Sequence, residues 1–171
     1  MRDLSERLEL AQLRLVQALR QASDRYQACW AVCDEAVAYL GLEDCVLYLL
    51  DPCGNTLTQH AAFGPKQAAP GVLESVITLR LGEGIVGTAA HLRESICIDD
   101  VGCDPRYVLD DNARASELAV PIIAGERLIG VIDSEHSQQG FFSARHQQVL
   151  EAIAQLAAPY LASWIALEDI S

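Results

Sequence analysis

The spacing of apolar residues changes period twice along this chain, and that change most limits its fold. Leu4, Leu8, Ala11, Leu15, Ala18 and Ala22 follow a 4-3-4-3-4 heptad spacing. Tyr26, Cys29, Cys33, Val37 and Leu40 continue it after an extra step of four. Two consecutive fours make a stutter. It falls at Ser23-Asp24, where Asp24 and Gln27 suit a capping box. The first 40 residues therefore read as one long helix or as two helices breaking near 23, ended by Gly41. From Cys45 the pattern becomes strand-like. Cys45 to Leu50 and Leu57 to Phe63 read as a hairpin across the 51–55 turn. Gly64 to Gly71, with two prolines and two glycines, reads as a loop. Val76 to Leu81, Ser95 to Ile98, Leu118 to Ala124 and Leu128 to Glu135 read as strands. Ile85 to Leu92 is a short helix and 99–115 a long loop. Ser143 then opens a helix to about Leu167, which Pro159 should kink or split. This order predicts an α+β fold: an antiparallel central sheet with helices packed on one face.

Composition narrows the function classes. The 171 residues carry 24 acids against 12 bases, a net charge of −12, and 51% are hydrophobic. That length suits one domain with a real core and excludes a disordered acidic tail. The charge argues against a nucleic-acid partner. The longest uncharged apolar run is read as Leu118 to Gly125, interrupted by Pro121, so neither a membrane span nor a membrane partner is expected. The N-terminus alternates charge with Leu, unlike a secretory signal, which makes a cytoplasmic location the expectation. The six cysteines contain no CxxC pair and read as reduced thiols, most of them small buried hydrophobes with one or two exposed. No metal site is expected, and the sequence names no cofactor.

Gly82, Gly84 and Gly87 spell G-x-G-x-x-G between a strand and a helix. A dinucleotide site would need an apolar central strand before it and a longer crossover helix after it. Here the strand alternates and the helix has about eight residues. The motif reads instead as a tight glycine turn feeding a strand into a close-packed helix.

The segments LGEGIVGTAA (81–90), ICIDDV (96–101), DPRYV (104–108), SELAVPI (116–122), LIGVIDSEH (128–136) and GFFSARHQQVLEAIA (140–154) follow one another in a fixed order. With the hairpin YLLDPCGNTL (48–57), the ordered set resembles GAF domains over about residues 24–167. The resemblance implies a six-stranded antiparallel sheet with the N- and C-terminal helices on one face. Loops and the short helix would form a small-molecule pocket on the other. It also implies a division into a heptad-patterned helix, 1–23, and a GAF-like domain, 24–171. The function implied is a sensory or regulatory module. It would bind an unidentified small molecule and pair as a homodimer through its terminal helices. It would signal to a separate partner or output domain, without enzymatic activity.

Two alternatives accompany that reading: a dimerisation or scaffold module with a collapsed pocket, and a free methionine-R-sulfoxide reductase. The reductase branch of the family needs a thiolate nucleophile and resolving thiols. Its motif puts cysteines where this chain has Val86, near Val76 and near Asp110. None of these is Cys, so no catalytic residue is expected. Haem ligation at His60, His91 or His136 and a bilin link at Cys103 lack their contexts.

Residues 95–117 hold six acids against two arginines and are expected to cover the pocket. The expected ligand contacts are Arg106, Tyr107, Ser116, Glu117 and Asp133. Arg106 suits a ligand carboxylate. Asp133 and Glu135 alternate with Ile132 and Ser134, so they face either the pocket or solvent.

Overall fold

A computed structural model describes residues 4–168, with the side chains of residues 4, 5, 7, 167 and 168 excepted. The heptad stutter is a break. Helix α1 spans Leu4–Gln21 and α2 spans Arg25–Leu40. Asp24 caps α2 by accepting the Gln27 backbone N–H at 2.8 Å, and Gln27 Oε1 accepts the Ser23 N–H at 3.0 Å. Gly41, at φ +67°, ends α2 and donates its N–H to the Val37 carbonyl.

The strands are β1 (Cys45–Leu50), β2 (Thr56–Phe63), β3 (Gln67–Ala69), β4 (Val72–Leu73), β5 (Thr78–Arg80), β6 (Ile96–Ile98), β7 (Ser116–Ala124) and β8 (Arg127–His136). Helix α3 (Gly84–Leu92) sits between β5 and β6, and α4 (Ala144–Glu168) closes the chain. Six strands form one antiparallel sheet in the order β5-β2-β1-β8-β7-β6. The stretch 64–71, expected as loop, contributes β3 to a separate two-stranded ribbon with β4.

Strand alternation sorts the core into two layers. Leu47, Leu49, Leu118, Val120, Ile122 and Ile132 pack in the layer of α1, α2 and α4. Val46, Tyr48, Ala119 and Val131 pack in the layer that holds Ile85 and Val86 of α3. The heptad seam of α1 is used inside the chain: Ala11 and Leu15 are buried, and α1 packs on α2 and α4. The side chain of Leu4 lies outside the described residues.

Two expectations about the last helix change. α4 is one element through Pro159 and is not split. Pro159 and Gln155, one turn back, are both exposed, so the carbonyl deprived of its amide partner lies on the solvent side. The chain also holds a helix long and apolar enough to cross a membrane, Ala144–Ala166. Reading the longest uncharged run missed it, because a scattered Gln, Ser or Pro does not undo the apolarity of a helix. Its Val149, Leu150, Ile153, Ala157 and Leu161 pack in the core.

The glycine turn works as read. Gly82 and Gly84 adopt positive φ (+85° and +69°). A Cβ at Gly87 would collide with the Arg80 carbonyl oxygen, so only glycine lets α3 sit this close to β5.

Candidate functional site

The inner face of β7 and β8 carries three carboxylates. Glu117 lies directly opposite Glu135 across the pair, and Asp133 lies opposite Ala119 on one side and Val46 of β1 on the other. Period-two alternation thus stacks all three on the α3 side of the sheet, and all are at least nine-tenths buried. With Asp44, Tyr48, Lys66, Asp110, Asp111 and residues of β5 and α3 they line a narrow cavity. Its free space is about 20 Å³, room for a single water molecule.

Burial dominates the electrostatics. Desolvation raises Glu117 to about 7 and Glu135 to about 8, and raises Asp133 well above the usual carboxylate range. Asp44 is also pushed up to about 7 by burial, opposed by the Glu135 N–H it accepts at 2.6 Å and by Arg114 at 3.6 Å. The charges of Glu117, Glu135 and Asp44 oppose that of Asp133, which adds to its rise. One oxygen of Asp133 and one of Glu135 are buried without any hydrogen-bond partner. Buried polar atoms are normally satisfied, so these two oxygens are exceptions, and the cavity they face has room for one water.

The segment 104–115 closes over this cluster as a strap. Its Asp110 forms an ion pair with Lys66 and accepts Gln59 Nε2 at 2.7 Å. Gln59 also donates to the Tyr48 hydroxyl at 2.9 Å and accepts the Ile77 N–H at 3.1 Å. Farther along, Arg114 pairs with Asp44 and with Asp111 at 3.2 Å. The Tyr107 hydroxyl accepts the Arg114 N–H at 3.2 Å and touches Glu135. Val108 packs against Gly84 at the start of α3, where a Cβ would meet it at 3.1 Å.

The structure therefore brings Glu117, Asp133 and Tyr107 together. It does not bring in the other two expected contacts. Arg106 turns back to chelate Asp104, at 2.9 and 2.6 Å, and its side chain is 38% exposed. Ser116 is fully buried and donates to the Gln138 carbonyl at 2.7 Å. Sequence reasoning missed Asp44, Tyr48, Gln59 and Lys66. Alternation along β1 signalled Tyr48. Lys66 is the only lysine, and it lies on the turn that leads into β3.

The thiols lie elsewhere. Cys29, Cys33 and Cys45 are buried, whereas Cys53, Cys97 and Cys103 are exposed, three rather than one or two. Cys33 of α2 and Cys45 of β1 are in thiol–thiol hydrogen-bonding contact, which with burial pushes the Cys33 thiol up. Among the described residues no cysteine lines the cavity.

Comparison with known proteins places this geometry. A 79-residue stretch is 33% identical to the free methionine-R-sulfoxide reductase of Saccharomyces cerevisiae, covering 46% of this chain and 44% of that one. The match thus spans less than half the length of that relative. The solved GAF domain of an Acinetobacter phosphoenolpyruvate-protein phosphotransferase superimposes with a TM-score of 0.81 at 19% identity, covering 99% of both chains. The free methionine-R-sulfoxide reductase of Neisseria meningitidis, solved with its substrate, gives the same TM-score of 0.81 at 17% identity, covering 98% of this chain and 95% of that one. The expectation of a chain without enzymatic activity is corrected by these matches. The sequence likeness runs to a protein named as an enzyme, and the fold fits a reductase as well as a phosphotransferase domain. Missing cysteines at Val76, Val86 and Asp110 argue only against thiols at those positions, since Cys33 and Cys45 form a close pair elsewhere. The GAF domain family profile matches residues 22–162, and the chain belongs to the GAF domain family.

Proposed function

We propose that this GAF domain binds a small molecule bearing a protonated amine, held by Glu117, Asp133 and Glu135. The observation that carries the reading is the pair of buried oxygens on Asp133 and Glu135 without a hydrogen-bond partner in the narrow cavity. An ammonium group offers three donors and a positive charge, which suits both. In the closed cavity protons replace that charge, so binding displaces them. Calorimetric titration with free amino acids and simple alkylamines tests the reading. Affinity should rise from pH 6 to pH 8 with release of protons, and Asp133→Asn should weaken binding about tenfold or more. No binding at millimolar concentration, or unchanged affinity in the variant, would reject it.

A second reading follows from the yeast relative: reduction of free methionine-R-sulfoxide. That reaction oxidises two thiols to a disulfide while the sulfoxide becomes a thioether and water. Cys33 and Cys45 are the contacting pair that would close such a disulfide. A thioredoxin-coupled turnover assay decides it: turnover lost on Cys33→Ser supports this reading, and binding without turnover supports the sensory one. For the sensory reading, Asp44 is the link to the helices. It follows α2 by a short loop, and its carbonyl accepts Ser134 Oγ at 2.7 Å.

A further inference from the structure

Lys66 is the only lysine of the chain, it is 3% exposed, and it lines the same cavity as the carboxylates. A buried ammonium without a counter-charge costs several kcal/mol, so whatever neutralises it is structurally significant. Its partners are Ser75 Oγ at 3.2 Å and the carboxylate of Asp110. Asp110 belongs to no helix or strand. It lies on the strap, whereas Gln59, the other donor to its carboxylate, is fixed in β2 by Tyr48 and Ile77. Facing the strap are thus two donors that share one carboxylate, Gln59 Nε2 from β2 and Lys66 Nζ from the turn before β3. The carboxylate they receive in this structure is delivered by the covering segment.

We propose that Lys66 is the anion-recognising residue of the cavity and that Asp110 is a removable internal counter-ion, standing where the anionic group of a ligand binds. The proposal rests on the amine-binding reading and adds a second pole to it. The same cavity is lined by the buried acids and by a buried ammonium. A ligand carrying both an amine and an acidic group replaces Asp110 on Lys66, so the ammonium is never left unpaired. A ligand with only an amine gains nothing at that pole. Free space of about 20 Å³ admits neither kind unless the strap lifts. Release of Asp110 from Lys66 removes one of its fastenings, so ligand entry and strap opening are one event.

The experiment compares matched probes that differ by a single carboxylate: L-alanine with ethylamine, and L-norleucine with pentylamine. Each is titrated into the wild type, Lys66→Met and Asp110→Asn, and hydrogen exchange of the 104–115 amides is followed without probe. In the wild type each amino acid should bind about tenfold or more tightly than its amine. Lys66→Met should abolish that difference. Asp110→Asn should strengthen amino-acid binding and speed exchange across the strap. Equal affinities within each pair in the wild type overturn the proposal while leaving amine binding intact. So does an Asp110→Asn protein with unchanged affinity and exchange, which remains decisive where Lys66→Met fails to fold. Failure of all four probes to bind overturns the amine reading itself, and this proposal with it.

Discussion

Glu117, Asp133 and Glu135 share one desolvated space, so their charges oppose one another and each favours its protonated form. The direction of the resulting pH dependence is unusual for carboxylates. Their folded pKa values are raised above the unfolded ones, to about 7 for Glu117 and about 8 for Glu135. The folded state then binds more protons than the unfolded state between roughly pH 4 and pH 8, and stability falls as pH rises through that window. Asp44, at about 7, adds to the same trend. Glu43, Asp51 and Asp104 are held low by hydrogen bonds, so their contribution changes mainly at more acid pH. Urea unfolding should give a stability about 1–3 kcal/mol lower at pH 8 than at pH 5.5. Asp133→Asn, which removes one of the mutually repelling charges, should flatten that slope. A wild-type midpoint that rises with pH would contradict the protonated cluster.

The elements show what the sequence made legible and where it stopped. Period changes located the N-terminal helical stretch and its possible break, the hairpin, α3 and the β7–β8 pair, because alternation and heptad spacing follow from burial of one face. They missed the β3–β4 ribbon, whose few residues are too short to show a period. Glu117 and Asp133 were readable as cavity residues from their strands, but Asp44 and Lys66 were not, since long-range pairing rather than local pattern places them. Arg106 has a local partner that spacing alone did not show: two residues from Asp104, its guanidinium chelates that carboxylate. Gly130 is another position whose importance lies between elements. It sits in β8 opposite Leu49, and a Cβ there would collide with the Tyr48 carbonyl of β1. Tyr48 and Asp133 both depend on this β1–β8 pairing. Gly130→Ala should therefore cost about 3 kcal/mol or more, seen as a lowered denaturation midpoint, with amine binding lost alongside. A variant of wild-type stability would show that β1 can shift to accept the methyl group.

At the scale of the molecule, α1 decides between two uses of one amphipathic helix. A heptad seam suits a partner helix in a dimer, but Ala11, Leu15 and Leu19 are buried within this chain, Leu15 completely. Leu15 and Leu19 join the layer formed by α2, α4 and the sheet, and the seam residues Leu8 and Ala22 pack partly buried against it, so the seam is already in use. What α1 leaves outward is Leu10, 40% exposed, and Leu13, 67% exposed. Any pairing through this helix must use that outward face, which the heptad reading did not choose. Stability and association then belong to different residues of one helix and separate by mutation. Leu15→Ala should destabilise the chain by about 2–4 kcal/mol, the cost of a cavity in a filled core, at every protein concentration. Leu13→Asp should leave the unfolding midpoint of the dilute protein within about 0.5 kcal/mol, because the side chain already meets water. If copies pair through the outward face of α1, Leu13→Asp also lowers the sedimenting mass at high concentration, since a charge cannot be buried there without a partner. A Leu15→Ala protein of unchanged stability, or a Leu13→Asp protein that unfolds when dilute, would reverse the assignment of the two faces.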